Sequence, residues 1–348
     1  MASDRIDSEE ALIAEFLVPL AAGFPGAFAL ADDCAVIAPR DGDELVVTTD
    51  ALVSGTHFFT DEDAGAIAWK ALAVNVSDLI AKGATPLAYL MTLALPEAPE
   101  RAWLRAFSSG LRRAQETFGF HLAGGDTDRM PNKLSVVITA FGTVPEGSIV
   151  RRSGARPGDL VYVSGTIGDA TLGFRLRREA SLGQRCGLEK AARDHLDFHF
   201  RMPVPPIGIA TVVRSCACAA MDISDGLVKD FNRLCRASGV GGIIEAARVP
   251  ISSPARTVID GGGATLVDLL TGGEDYEVLA TVRPNRAEEF EKQAKAARTQ
   301  VTRIGSIAQA DEGIAVIDEA GCPMHIAKTG WDHFREPSGA SHRDEYGG

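Results

Sequence analysis

Six aspartates stand within or at the ends of apolar runs: Asp33 in ADDCAVI, Asp50 in VVTTDALVSGTHF, Asp78 in LAVNVSDLIAKGA, Asp126 in LAGGDTDR, and Asp222 and Asp225 in ACAAMDISDGLVKD. An ionised carboxylate is costly to bury unless it is paired or coordinates a cation. Carboxylates at the edges of strands and helices therefore predict one acidic, metal-holding cleft, built from both halves of the chain. The surrounding donors are oxygens of Asp, Thr, Ser and backbone carbonyl, the ligand set of Mg²⁺. Mg²⁺ keeps several waters and is usually completed by substrate phosphates, so the pattern points to phosphoryl chemistry.

Each aspartate also has an ordinary reading. Asp225 before Gly226 can cap a helix, Asp222 can sit in a turn, and Asp78 can pair with Lys82 at a helix end. The glycines of Gly124-Gly125-Asp126-Thr127 can make a tight turn, and Thr48 and Thr49 alternate as any strand pair does. The coincidence of all of them carries the expectation. The chain has no Walker-type GxxxxGK[ST], no HExxH and no GxSxG. Its seven histidines are scattered, which gives nucleophilic catalysis little support.

The elements that must position these residues can be read from pattern. Residues 8–22 open with a capping serine and two glutamates, a helix start. Leu45–Asp50 (LVVTTD) reads as a strand delivering Asp50 at its C-terminal end. Asp61 or Asp63 can cap the helix AGAIAWKALAVNVSDLIAKGA, on which Ala71, Asn75, Asp78 and Lys82 share a face. That helix is otherwise apolar and must be largely buried. A strand over Leu87–Leu95, a helix over Glu97–Phe118 and the strands FHLAGG and LSVVITAFGTV follow, with a domain boundary near residue 148. Beyond it come the strand LVYVSG, a glycine-punctuated turn entering the helix of GDATLGFRLRRE, and a polar, unpatterned stretch to about His199. The prolines of RMPVPPIG forbid regular structure. CACAAMD reads as a strand, Gly226–Ser238 as a helix, LLTGGEDYEVLATV as a strand, 285–298 as a helix, and VTRIGSI and GIAVID as strands. The tail from residue 336 is polar and reads as disordered.

At 348 residues the chain predicts two domains (1–148 and 149–335), each long enough to bury its own core. A net charge of −12 argues against nucleic acid or an anionic membrane as the main partner. The acidic N-terminus lacks a signal peptide's pattern, and no uninterrupted apolar run reaches the length of a membrane span. The six cysteines show no paired CxxC motifs and read as free thiols in a reducing cytoplasm.

The motifs ADDCAVI, TTDALVSGTHF, KALAVNVSDLIAKGATP, GGDTDR, RRSGARPGDLVYVSG, MDISDGL, TGGEDYEVL and GWDHF, in this order, closely resemble those of thiamine-monophosphate kinases. The resemblance runs from about residue 8 to 334 and is more specific than the pattern of the wider superfamily around aminoimidazole ribonucleotide synthetase. It implies an α/β and α+β, two-domain aminoimidazole ribonucleotide synthetase-like fold and a homodimer formed through the N-terminal domains. The implied reaction moves the γ-phosphate of ATP onto thiamine monophosphate. By motif matching, Asp33, Thr48, Thr49, Asp50, Asp78, Asp126, Asp222 and Asp225 would hold several Mg²⁺ ions, with Asp78, Asp126, Asp222 and Asp225 as the catalytic set. Gly125, Asp126, Arg152 and Ser224 would contact ATP, and His57, Glu274 and Trp331 would sit with thiamine monophosphate. Ala31 stands where the family usually has glycine, and segment 179–200 carries no motif.

The implied chemistry is physically coherent. An acceptor phosphate with a second pKa of about 6 is largely deprotonated at neutral pH, so no general base is needed. The barrier is repulsion between two polyanions, about 4 kcal/mol for two unit charges 4 Å apart at an effective dielectric of 20. The cationic thiazolium at the other end suits an aromatic face and a carboxylate. A superfamily sibling acting on another acceptor would want a reactive N-terminal or a C-terminal cysteine; this chain ends EYGG.

Overall fold

The computed structural model describes residues 5–331. The tail from residue 336, and Asp332–Phe334 of the GWDHF motif, lie outside the described residues. The chain opens on α1 (Glu9–Leu12), a π-helical turn (Ile13–Leu17) and α2 (Val18–Ala21). Ser8 caps the run by accepting from the Ala11 N–H, and Pro19, lacking an N–H, sits in the first turn of α2.

Four strands form the first sheet: β1 (Asp43–Val53), β2 (Thr85–Leu95), β3 (Leu122–Arg129) and β4 (Ser135–Pro145), in the order β1-β4-β2-β3. β4 is antiparallel to both neighbours, and β3 is parallel to β2. Between the strands run α3 (Ala64–Ala81) and α4 (Arg101–Phe118), the latter starting four residues later than its pattern suggests because Pro96 and Pro99 occupy the approach. Asp63, not Asp61, caps α3 by accepting from the Ala66 N–H at 2.9 Å. Every residue of α3 except Asp78 is buried. Among the described residues it is the one helix long and apolar enough to cross a bilayer, and it lies 94% inside the protein.

The second sheet has six strands: β5 (Leu160–Ser164), β6 (Ala217–Ile223), β7 (Gly241–Glu245), β8 (Glu277–Val282), β9 (Val301–Ala308) and β10 (Ile314–Ile317), ordered β10-β7-β9-β5-β8-β6. Around it lie α5 (Asp169–Arg178), α6 (Ser181–Arg185), α7 (Lys190–Arg201), α8 (Ile209–Cys216), α9 (Leu227–Ser238), α10 (Ser253–Asp260), α11 (Leu266–Leu270) and α12 (Ala287–Ala296).

Several expectations need correction. The stretch to His199 is helical: α7 buries Leu196 and Phe200, one turn apart, and leaves its polar residues outside. LLTGGEDYEVLATV is not one strand; Thr265 and Asp268 form a capping box that starts α11, the glycines end it, and only Glu277–Val282 pairs in the sheet. GGDTDR is strand rather than turn, and three short elements go unread: β7, α8, which buries Ile209, Val212, Val213 and Cys216 at helical spacing, and α10, which Ser252 caps. The cores also differ from two separate ones. The largest cluster joins α3 and the first sheet to Val212 and Val213 of α8, Ala220 of β6, Val278 of β8 and Phe290 of α12.

Candidate active site

A cavity of about 800 Å³ opens between the two sheets, lined from β1, α3, α5 and three loops of the second half. Asp78 reaches it because it is the one residue of α3 left partly open, and its Oδ2 accepts from Thr48 Oγ1 on β1 at 2.6 Å. The ordinary reading, an Asp78–Lys82 bridge, fails: Lys82 Nζ donates to the Ala220 carbonyl at 2.6 Å. Burial pushes the Lys82 ammonium down to about 8, helped by the charge of Arg152 and opposed by Asp222 and Asp78.

The second half brings Asp222 at the end of β6 and Asp225 two residues after it. Asp222 is buried, and Ser77 Oγ donates to its Oδ2 at 2.8 Å. Burial first, then the charge of Asp78, raises its carboxyl well above the ordinary range. Asp225 does not cap α9: the N-cap is Gly226, and Asp225 instead pairs with Lys229 at 3.1 Å and Arg233 at 2.6 Å. Asp50 keeps part of its surface open to solvent, yet removal from bulk water, followed by the charges of Asp78 and Asp225, pushes its carboxyl up to about 7. Asp50, Asp78 and Asp222 have no Lys or Arg ion-pair partner among the described residues. An oxygen-only donor set with uncompensated negative charge fits a hard divalent cation such as Mg²⁺.

Three loops form the opposite wall by backbone contact. Glu274 N–H donates to Ser224 O at 2.8 Å, Tyr276 N–H to Ile223 O at 2.8 Å, and Trp331 N–H to Asp225 O at 2.9 Å. A Cβ on Gly226, whose φ is +115°, would meet Gly272 O at 2.1 Å, so only glycine lets the loops approach. Asp230, in the first turn of α9, accepts from the N–H groups of Ser224 and Asp225 at 3.1 and 3.0 Å and fixes their loop.

The lining also carries aromatic rings: Phe174 and Phe200, with ring centroids 5.5 Å apart, and Tyr276 and Trp331, which the backbone contacts above set beside the carboxylates. Glu274 lies here at φ +68°, and its Oε2 pairs with Lys70 Nζ at 3.1 Å. Lys70 is buried on α3; it also donates to the His57 carbonyl at 2.9 Å and lies 4.0 Å from the centre of the Phe200 ring. His57 Nδ1 accepts from the Val53 N–H at 3.0 Å, so a neutral ring carries its proton on Nε2.

Of the residues singled out in the sequence, Asp50, His57, Asp78, Arg152, Asp222, Ser224, Asp225, Glu274 and Trp331 line this one cavity. Thr48 stands behind Asp78. Thr49 points elsewhere, donating to the Ile138 carbonyl at 3.0 Å. Asp33, Gly125 and Asp126 are exposed and do not line the cavity of the single chain. Gly125 and Asp126 are on β3, the edge opposite β1, where a Cβ on Gly125 would strike Met91 O at 1.9 Å. Asp33 follows Phe28, Ala29 and Leu30, three non-glycine residues with φ of 49°, 55° and 56°. Sequence reading missed Lys70, Asp230, Phe174 and Phe200. Lys70 was findable as two steps of four back from Asp78 along α3, through Val74, which also lines the cavity.

Residues 31–144 match the family model of the AIR synthase related protein, N-terminal domain, and residues 156–318 that of the C-terminal domain. The thiamine-monophosphate kinase of Caulobacter vibrioides is 36% identical over 324 residues, spanning 92% of this chain and 89% of its own. The crystal structure of thiamine-monophosphate kinase from Stenotrophomonas maltophilia K279a superposes with a TM-score of 0.74 at 37% identity, over 82% of this chain and 89% of that one. A structure described as AaThiL complexed with AMPPCP and TMP gives a TM-score of 0.74 at 32% identity, over 87% of this chain and 91% of its own. With both domains matched in order and relatives this similar along nearly the whole length, the chain belongs to the thiamine-monophosphate kinase family of AIR synthase-related proteins.

Proposed function

We propose that this protein transfers the γ-phosphate of ATP to the phosphate of thiamine monophosphate, forming thiamine diphosphate and ADP. The observation that carries this reading is one cavity whose lining holds the carboxylates Asp50, Asp78, Asp222 and Asp225 together with the aromatic rings of Phe174, Phe200, Tyr276 and Trp331. A molecule that carries both phosphate and an aromatic cation matches both kinds of lining group.

Asp50, Asp78, Asp222 and Asp225 would hold Mg²⁺, which when bound neutralises phosphate charge and so lowers the repulsion between donor and acceptor. Arg152 and Ser224 sit on the same lining and bind nucleotide phosphate. Thr48 holds the Asp78 carboxylate in place, and Asp230 holds the Ser224–Asp225 backbone. His57, Glu274 and Trp331 take the acceptor's organic end, with the Glu274 charge shared with Lys70. No protein group has to remove a proton from an acceptor that is already deprotonated.

Leu45 and Val47 on β1, with Phe28 and Val36 in the preceding stretch, are large apolar side chains left exposed. They support a homodimer through the first half of the chain, and we assign Asp33, Gly125 and Asp126 to the nucleotide site as it is completed in that dimer. Free thiols and an ATP-dependent reaction support a cytoplasmic location.

The test is ADP release with chromatographic identification of the product. ADP should form only when thiamine monophosphate and Mg²⁺ are both present, with thiamine diphosphate in equal amount. Phosphorylation of a different acceptor, and none of thiamine monophosphate, would overturn the assignment.

A further inference from the structure

Helix α7 carries His195 and His199 one turn apart, with ring centroids 4.5 Å from each other. Asp169, the first residue of α5, faces them, and one ligand atom from each of the three residues lies within 4.8 Å of the other two. We propose that Asp169, His195 and His199 form a binding site for one Zn²⁺-class divalent ion, separate from the carboxylates of the large cavity.

The spacing fits. Asp169 Oδ2 and His195 Nε2 are 3.2 Å apart. Two ligands on a tetrahedral ion with bonds of about 2.1 Å are separated by about 3.4 Å. Paired imidazoles at i and i+4 on a helix present both rings to one point. Two imidazoles and one carboxylate favour Zn²⁺, Co²⁺ or Ni²⁺ over Mg²⁺, so this site and the oxygen-only cluster select different ions.

The surroundings are those of a ligating carboxylate. Asp169 is 1% exposed, and Thr166 Oγ1 (2.6 Å) and Ser252 Oγ both donate to it, fixing its orientation. Among the described residues its one ion-pair partner is His195. A second carboxyl lies close by: Asp275 accepts from the Gly168 N–H at 2.8 Å, and its other oxygen is buried with no hydrogen-bond partner. A plain Asp–His pair would account for His195 alone. The His199 ring lies tilted against it at 48° and makes no hydrogen bond among the described residues, which a shared ion explains. The His195 side chain is 38% exposed, leaving a path for the ion and room for a water to complete the coordination.

The ion would tie α5 to α7. Ala170, Thr171 and Phe174 of α5 and Phe200 of α7 line the large cavity, so occupancy stiffens that wall. Titration of ZnCl₂ into the full chain by calorimetry, with Mg²⁺ in excess, tests the site. The exposed thiols Cys34 and Cys322 are replaced by serine beforehand so that they do not compete. One equivalent of Zn²⁺ should bind, raise the melting temperature, and on replacement by Co²⁺ give ligand-field bands without thiolate charge transfer. His195→Ala and His199→Gln should each weaken binding roughly tenfold or more and abolish the thermal shift. No binding by the folded parent overturns the proposal, as does undiminished binding in the His195→Ala/His199→Gln double variant. A parent that binds Zn²⁺ through a thiolate signature also overturns it.

Discussion

Asp222 is buried beside Asp78, with a serine hydroxyl as its hydrogen-bond partner and no paired cation. Such a group is tolerated where a bound cation offsets its charge. Asp78→Asn and Asp222→Asn should each lower kcat by on the order of 10²-fold or more, the scale seen when one charge-stabilising group is removed, with folding checked by circular dichroism. Full turnover by both would remove these carboxylates from the reaction. Asp50 makes a pH prediction for the chelated protein. Its carboxyl is raised from 3.8 to about 7, so the folded state keeps a proton that the unfolded chain releases. The stability it contributes is complete below 3.8 and is lost as pH rises through about 7. Asp50→Asn should therefore flatten the decline of the urea midpoint across that window, and Mg²⁺ should raise the wild-type midpoint most at its alkaline end. These carboxylates were legible because each interrupts an apolar run. The partners that orient them were less so: Thr48 was named as a metal ligand rather than as the donor to Asp78, and Ser77 and Asp230 look like any helix residue until the chain is folded.

Among the elements, α3 and the loop before α9 do most to shape the cavity. Lys70, itself buried, joins α3 to the Glu274 loop through an ion pair with the half-buried carboxylate and to the 57 loop through a carbonyl. Lys70→Met leaves the half-buried Glu274 without its cation and should cost about 1–3 kcal/mol of stability, read from urea unfolding. The Michaelis constant for thiamine monophosphate should rise with it, because the aromatic lining of the cavity loosens. Gly226→Ala sets a methyl against Gly272 O at a φ of +115°; nucleotide binding by calorimetry should fall as the Asp225 loop is displaced. Wild-type affinity in this variant would show that the two loops need not touch. Long strands such as β1 and β4 were readable from pattern, as were α3, capped by Asp63, and α9, ended by Gly239 in the left-handed region. α7 was missed because only Leu196 and Phe200 mark its buried face, and α11 because its apolar residues run directly into a β-rich segment.

At the scale of the molecule, two sheets were foreseeable from the alternation of strands and helices, but their order was not, since pairing is settled by distant partners. The dimer proposed through the exposed Leu45 and Val47 predicts that the parent will sediment as a dimer and Val47→Asp as a monomer. A monomeric parent would overturn the proposed dimer, and a dimeric parent with an unchanged coefficient in the variant would remove β1 from its interface. α3 belongs by connectivity to the first sheet, yet it packs into the same cluster as α8, β6 and β8. Where it ends, Gly83 lies so close to Arg214 that a Cβ would meet the Arg214 Cα at 3.1 Å, and Lys82 holds the Ala220 carbonyl. A hybrid enzyme spliced from two family members near residue 148 would thus inherit mismatched halves of a single joint. Its success should follow the fit between residues 64–83 of one parent and 209–220 of the other rather than overall identity, and either fragment made alone would expose an unmet apolar surface and aggregate.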